Sequence, residues 1–266
     1  MPSTRAILNC IGRDTNQPIS VLGDLFGFVR RRVPTDNTTT RRSVSMRDTL
    51  NGLEGRYVNI NVIAVGWWDE TAANLIDTAR MKTDFAIMRT RQIFRQVNLG
   101  VGRVNYYRIT QAQADGADNL NSSGEADELS DDWTVQNTGI DCFVVRTINI
   151  SDPDDRFVGI SPRPGSDDKG GKRDGLIAGA IDRGGSIGSS FGGFARTFAH
   201  EIGHYLGERH NHDNDACDEG TCPTGGAQNN LMAQTCCISI AADQANSLTN
   251  GQGSGMRGHG ITRPGC

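Results

Sequence analysis

The sequence predicts a mixed α+β fold in one compact unit of 266 residues. From Tyr57 to Val62, apolar side chains alternate with Asn59 and Asn61, and this period of two is typical of a half-buried strand. Apolar residues at helical spacing follow between Asp69, a candidate cap, and Gly100, a candidate left-handed stop. They predict one long helix that packs against a sheet.

Four further runs rich in β-forming residues predict strands, at 101–110, 140–150, 156–160 and 175–181. Between the first two, Ala112–Asp132 is acidic and lacks apolar periodicity, so we expect a surface excursion there. The acidic residues of this segment and of Asp152–Asp155 could bind Ca²⁺. Neither stretch has the ligand spacing of an EF-hand, so no motif supports a calcium site. A last helix is predicted from Phe191 to Gly207, after a Gly- and Ser-rich segment.

Charge and hydropathy argue against two kinds of partner. The formal charge is -4, with 27 Lys and Arg against 31 Asp and Glu, so no global basic field attracts nucleic acid. No apolar run approaches the roughly 18 residues of a membrane span. The local basic run at Arg30–Arg32, with Arg41 and Arg42, is interpreted as a solvated loop, with a processing or docking site as the alternative. The oligomeric state stays open.

Residues 1–56 are polar and turn-rich, and we interpret them as an N-terminal extension, a candidate pro-segment, ahead of a domain at 57–266. The apolar stretch Ala6–Ile11 is too short and too polar to be the core of a signal peptide. An extracellular or exported protein is still expected, either as a mature form or as cargo of another machine. A cytoplasmic stage before delivery is the alternative.

The chain contains seven cysteines, so one thiol stays unpaired in a monomer even if all the others are bridged. Cys217 and Cys222 are close enough in sequence to form a small disulfide loop. The remaining candidates for disulfides are Cys142, Cys236, Cys237 and Cys266. This density favours an oxidising compartment. A second zinc site at the cysteines after residue 216 is a weaker alternative, because their spacing fits no standard zinc ribbon.

Three of the five histidines, His200, His204 and His210, lie within eleven residues. On a helix, side chains four residues apart share a face, so the first two imidazoles can converge on one ion. Gly207 can adopt a left-handed conformation that ends the helix and turns the third histidine back towards the ion. A catalytic zinc takes about three protein ligands and leaves a position for water. The pattern therefore predicts a zinc site, with surface histidines at a polar helix end as the alternative.

This segment resembles the metzincin clan of zinc endopeptidases, whose motif His-Glu-x-x-His-x-x-Gly-x-x-His it matches at every fixed position. Asn229–Ala233 is similar to the methionine turn of the clan, in which Met232 would support the histidines without being a ligand. The cysteines around it are similar to those of reprolysin-like members. The subfamily stays open, because Asn211 follows the third histidine where better-known branches carry other residues. Gln234 replaces the metal-facing tyrosine of some branches.

The resemblance implies a two-lobed catalytic domain: a twisted, mostly parallel sheet with a backing helix, an active-site helix, and a small irregular C-terminal lobe. It also implies that a protein or peptide substrate lies along an edge strand, and that Glu201 is the general base that takes a proton from water activated by zinc. The alternative is a non-catalytic or latent module that zinc stabilises for binding or assembly.

Three residues allow other interpretations. His212 could replace His210 as the third ligand. Cys10 could block the metal in a latent form, although a structural cysteine is the simpler interpretation. His259 lies in a Gly-rich tail, and we expect it to be exposed to solvent.

Overall fold

The structure is a computed structural model that describes residues 55–66, 73–150, 158–167, 169, 174–180, 191–211, 228–234 and 245–264. In its first helix, side chains are described from Arg80 onward. Several predictions lie outside the described residues: those on residues 1–54, on Asp152–Asp155, on His212 and on every cysteine except Cys142.

Thirteen elements make up the described part of the chain. In chain order they are β1 (Arg56–Gly66), α1 (Ala73–Arg95), β2 (Leu99–Thr110), α2 (Gln111–Ala114), β3 (Asn119–Leu120), α3 (Ser123–Asp132), β4 (Gly139–Val145), β5 (Thr147–Ile148), β6 (Gly159–Ile160), β7 (Gly175–Gly179), α4 (Phe191–Tyr205), α5 (Asn250–Gly258) and β8 (Arg263–Pro264).

The central sheet has six strands, five of which follow the order β2-β1-β4-β7-β6. The first four are parallel, and β6 runs antiparallel at the end next to β7. The sixth strand, β8, pairs antiparallel with the beginning of β1. A mixed fold with a mostly parallel sheet is therefore confirmed. None of the helices in the described ranges is long and apolar enough to cross a membrane.

Side chains of alternate parity on each strand point to opposite faces of the sheet, and both faces are buried. On one face, Ile140 and Val144 of β4 belong to a core that includes residues of α1 and α4. Cys142 lies between them as a free thiol, fully buried, with Sγ 3.7 Å from the Ile140 carbonyl. The prediction that Cys142 is a candidate for a disulfide is therefore wrong, because its position on a central strand directs it into the core.

The second face of the sheet is covered by the segment that we expected to be a surface excursion. Ala112–Asp132 contains most of α2 together with β3 and α3, and its residues Leu120, Ala126 and Leu129 are buried against this face. The expectation was wrong because α3 has only two apolar side chains among acidic ones, too few to produce a recognisable period. Both faces of a parallel sheet need such a cover.

Candidate metal centre

Helix α4 carries the histidine motif into the middle of the molecule. Every residue from Phe194 to Tyr205 is buried, because the helix packs between α1 and the sheet. The helix ends where the sequence predicted: Gly207 has φ +99°, and its amide donates to the carbonyl of His204 at 2.8 Å. This left-handed residue reverses the chain and brings His210 back beside the helix.

The three predicted ligands come together. One ligand-capable atom from each of His200, His204 and His210 lies within 4.8 Å of the other two. The Nε2 atoms of His204 and His210 are 3.1 Å apart. The first two histidines are buried and the third is half-buried, so the cluster lies at the border between core and solvent. Among the described residues, these three form a group that could hold a metal ion.

Hydrogen bonds to backbone carbonyls select the tautomers of two of these rings. His200 Nδ1 lies 2.7 Å from the carbonyl oxygen of Leu231, and His204 Nδ1 lies 2.7 Å from that of Glu208. A carbonyl oxygen only accepts, so each Nδ1 carries the proton and each Nε2 presents a lone pair to the cluster. Histidine ligands of metals are usually oriented by such an outer hydrogen bond.

Burial keeps the first ligand neutral. The pKa of His200 is well below its usual value, first because the ring is desolvated and then because His204, Arg196 and His210 add positive charge nearby. A transition metal binds only the neutral imidazole. Three imidazole nitrogens suit zinc, whereas calcium and magnesium prefer oxygen ligands.

Glu201 follows His200 on the helix and is 6% exposed. Burial raises its pKa to about 8, and the positive charge of Arg196 opposes this rise. The carboxylate lies against the edge strand, because a Cβ built on Gly159 of β6 would come within 2.4 Å of Glu201 Oε1. A buried acid that titrates near neutrality, beside a set of metal-binding groups, has the character of a proton acceptor and donor.

Met232 lies beneath the helix and is fully buried. Its Sδ would be only 2.6 Å from a Cβ placed on Gly203, so the helix can approach this turn only because residue 203 is glycine. Its carbonyl accepts from the amide of Asn211 at 3.1 Å, and its amide donates to Asn230 Oδ1 at 2.8 Å. The methionine turn is thus tied to the segment that follows His210.

The sequence interpretation missed Arg196. Its side chain is 4% exposed, and its Nε donates to the carbonyl of Ala245 at 3.0 Å. Its Nη2 donates to the carbonyls of Leu231 and Ala233, which flank Met232. The signal was present: a charged residue stands among apolar ones, four positions before His200 and so on the same helical face.

The expectation that His259 is exposed to solvent is wrong. Its side chain is 8% exposed, and its Nδ1 lies 3.1 Å from Oδ1 of Asp167. Its ring is 5.9 Å from that of Tyr205. The expectation was wrong because a Gly-rich sequence gave no sign of α5, whose C-terminal end places His259 against the loop after β6. Gln234 is also buried.

The fold and the histidine centre together define a domain with a candidate metal site, whose three imidazoles are a donor set that suits zinc. The chain belongs to Metallo-peptidase family M12, since the Reprolysin_5 family model matches residues 56–247. The resemblance to the metzincins, with a reprolysin-like member as the suggested kind, is thereby confirmed.

One similar solved structure is the crystal structure of metalloproteinase-II from Bacteroides fragilis. The two are 15% identical, with a TM-score of 0.44, and the match covers 78% of this chain and 53% of that one. The chain thus spans about half of the length of that structure. No curated protein matches it significantly.

Proposed function

We propose that the chain is a zinc-dependent endopeptidase, with His200, His204 and His210 as the metal ligands and Glu201 as the general base. The observation that supports this most is the convergence of three imidazoles on one point, with the buried carboxyl group of Glu201 next in the chain to the first of them. Zinc, when bound, supplies the Lewis acid that polarises the scissile carbonyl and makes water acidic enough to be deprotonated near neutral pH.

The other steps are carried out by the side chains of the chain itself. His200 and His204 keep their Nε2 lone pairs aimed at one point, because each Nδ1–H is held by a backbone carbonyl. Glu201 takes the proton of the attacking water and delivers it to the nitrogen of the leaving amine. A carboxyl group with its pKa raised by burial can perform both transfers at a pH near neutrality.

The substrate is proposed to bind as an extended peptide along β6. This strand ends the sheet, and no described strand pairs with its outer edge, which is the side where a further strand could be added. Gly159 places this edge directly against Glu201. A peptide that binds along a strand edge can continue in both directions, which favours cleavage within a chain over removal of terminal residues.

Glu201→Ala tests the role of the base. We expect the variant to fold and to retain zinc, because the residue is not a ligand and alanine is the best helix former. Peptide hydrolysis should fall by at least about a hundredfold, the usual contribution of general-base catalysis. The measurements are zinc content, thermal unfolding and cleavage of a mixed peptide library.

Two matched variants complete the experiment. Glu208→Gln changes a half-buried carboxyl group just beyond the end of α4 and should leave cleavage intact, because the contact with His204 is made by its backbone carbonyl and is kept in the variant. His210→Ala provides the reference with impaired zinc binding. Equal cleavage by wild type and Glu201→Ala would show that Glu201 is not the base. A zinc-loaded wild type that cleaves nothing would favour a latent or non-catalytic binding module.

A further inference from the structure

A buried guanidinium lies one helical turn before the first histidine of the centre. Arg196 is 4% exposed, so its charge is removed from water, and burying an unpaired charge is costly. Its guanidinium donates to three backbone carbonyls, those of Leu231, Ala233 and Ala245. A buried arginine bound to carbonyls orders the backbone that contributes them.

Two of those carbonyls, from Leu231 and Ala233, belong to the turn beneath the metal centre. Leu231 and Ala233 stand on either side of Met232, and Ala245 begins the next described segment. The carbonyl oxygen of Leu231 is also the atom that accepts from His200 Nδ1 at 2.7 Å. One oxygen therefore receives hydrogen bonds from Arg196 and His200, two side chains on the same face of α4.

We infer that Arg196 is a positioning residue of the metal centre, which holds the Leu231 carbonyl where that carbonyl fixes the tautomer and the ring orientation of His200. The inference rests on the proposed function, because it treats His200 as a metal ligand. With Arg196 removed, the turn loses its connection to the helix on one side, and the His200 ring can rotate away from the point where three nitrogens meet. Outer partners of metal-bound histidines are typically worth about ten- to hundredfold in affinity or activity.

Lysine cannot make the same set of bonds. The guanidinium has five N–H donors in a planar fork, so Nε and Nη2 reach carbonyls of two different segments at once. An ammonium group is a single centre at the end of a flexible stem. Arg196→Lys therefore preserves the positive charge near Glu201 but loses some of the hydrogen bonds to the three carbonyls.

The chain offers a control for the purely structural effect of losing a buried arginine. Arg91 on α1 is 7% exposed and also donates to two backbone carbonyls, from Nε to Val101 and from Nη2 to Gly102, each at 3.2 Å. These carbonyls belong to β2, at the end of the sheet farthest from β6. Arg91→Met should reduce stability without altering the histidine centre.

The experiment compares wild type, Arg196→Lys, Arg196→Met and Arg91→Met as full chains. Zinc affinity is measured by competition with a chromogenic chelator, and the geometry of the centre by the visible spectrum after Co²⁺ is substituted for zinc. We expect Arg196→Met to lose about ten- to hundredfold in zinc affinity and to change the Co²⁺ spectrum, with an intermediate effect for Arg196→Lys. On peptides, kcat should fall more than KM changes. Arg91→Met should match wild type in all three respects.

The inference is overturned if the Arg196 variants lose thermal stability as Arg91→Met does but keep wild-type zinc affinity and Co²⁺ spectrum. Should Arg196→Met fail to fold, Arg196→Lys decides alone: wild-type affinity and spectrum in that variant overturn the inference, and a loss in both supports it. A wild type that binds no zinc overturns the proposed function and this inference together. Zinc-loaded Arg196 variants that are indistinguishable from wild type overturn this inference alone.

Discussion

Two buried carboxyl groups, Glu201 of α4 and Asp141 of β4, show how the same chemical group serves different purposes. Asp141 is fully buried, and its carboxylate accepts from Asn61 Nδ2 at 2.7 Å, from the amide of Val135 at 2.9 Å and from Thr134 Oγ1 at 3.1 Å. Lys169 Nζ lies 3.0 Å from its Oδ2, an ion pair without hydrogen-bond geometry.

Glu201 lies in a different environment. Desolvation raises the pKa of Glu201 to about 8, while Arg196 only partly counteracts this. A carboxylate surrounded by three hydrogen-bond donors and a lysine ties several segments together and contributes to the fold. A carboxyl group that is buried with less compensation is ready to exchange a proton. Burial alone therefore does not identify a reactive acid; the partners of the buried group do.

Asp141→Ala should have the largest effect, a loss of stability. Lys169 would lose its counter-ion and three donors would lose their acceptor, so the free energy of unfolding should fall by about 3–5 kcal/mol. Urea unfolding measures this loss. Glu128→Ala, at an exposed position of α3, should change it by less than about 0.5 kcal/mol. A similar loss in both variants would contradict the role given to Asp141.

Gly159→Ala should displace the carboxylate of Glu201 while leaving residue 201 itself unchanged. The new Cβ would lie 2.4 Å from Oε1, so the carboxylate must move, and displacement of a reacting group by about 1 Å can cost about a hundredfold in rate. Steady-state cleavage of a peptide should show the loss in kcat. Gly179→Ala on the neighbouring β7 is the control, since its Cβ would meet nothing closer than 3.4 Å. Unchanged kcat in Gly159→Ala would mean that Glu201 does not act from the position seen here.

A smaller effect is expected on how the stability of the zinc-free protein depends on pH. The pKa of Glu201 is about 8 in the folded state against an ordinary value of 4.5, so the folded protein retains a proton that the unfolded chain releases. Glu201 therefore favours folding fully below pH 4.5, and this contribution is lost as the pH rises towards 8. The slope is at most about 1.4 kcal/mol per pH unit.

His200 acts in the opposite direction, because its lowered pKa removes stability as the pH falls below its ordinary value of 6.5. The two effects are separated by comparing wild type with Glu201→Gln, which lacks the acid but keeps the histidine. In chelator-treated samples, the difference in unfolding free energy between them should change steadily from pH 4.5 to 8. A constant difference across that range would contradict the raised pKa of Glu201.

The sequence was most informative where the relevant spacing is local. His200 and His204 are separated by about one helical turn, and Gly207 ends the same helix, so their arrangement follows from helical geometry alone. The identity of the methionine turn came from resemblance to a clan and not from geometry. The contact between Arg196 and Leu231 spans 35 residues, and no periodicity reports a contact of that kind.

The same distinction explains the errors in the fold. The long helix and the β1 strand repeat an apolar pattern many times, whereas α3 buries only a few side chains of an acidic segment. The network around Asp141 joins residues from β1, β4 and a later loop, and its members look like ordinary polar residues in the sequence. Such contacts become visible only once the tertiary structure brings the segments together.

The pairing of β8 with β1 has a consequence for how the molecule assembles. Arg56 donates to the side chain and carbonyl of Thr262, across 206 residues of chain, and Arg196 of α4 similarly depends on the carbonyl of Ala245. Closing loops of this length slows folding, because the chain loses conformational entropy before the long-range contacts have formed. We therefore expect the turn beneath the metal centre to become ordered late in folding. A chain interrupted before residue 245 would carry all three histidines and still lack both the Ala245 carbonyl that binds Arg196 and the strand that pairs with β1.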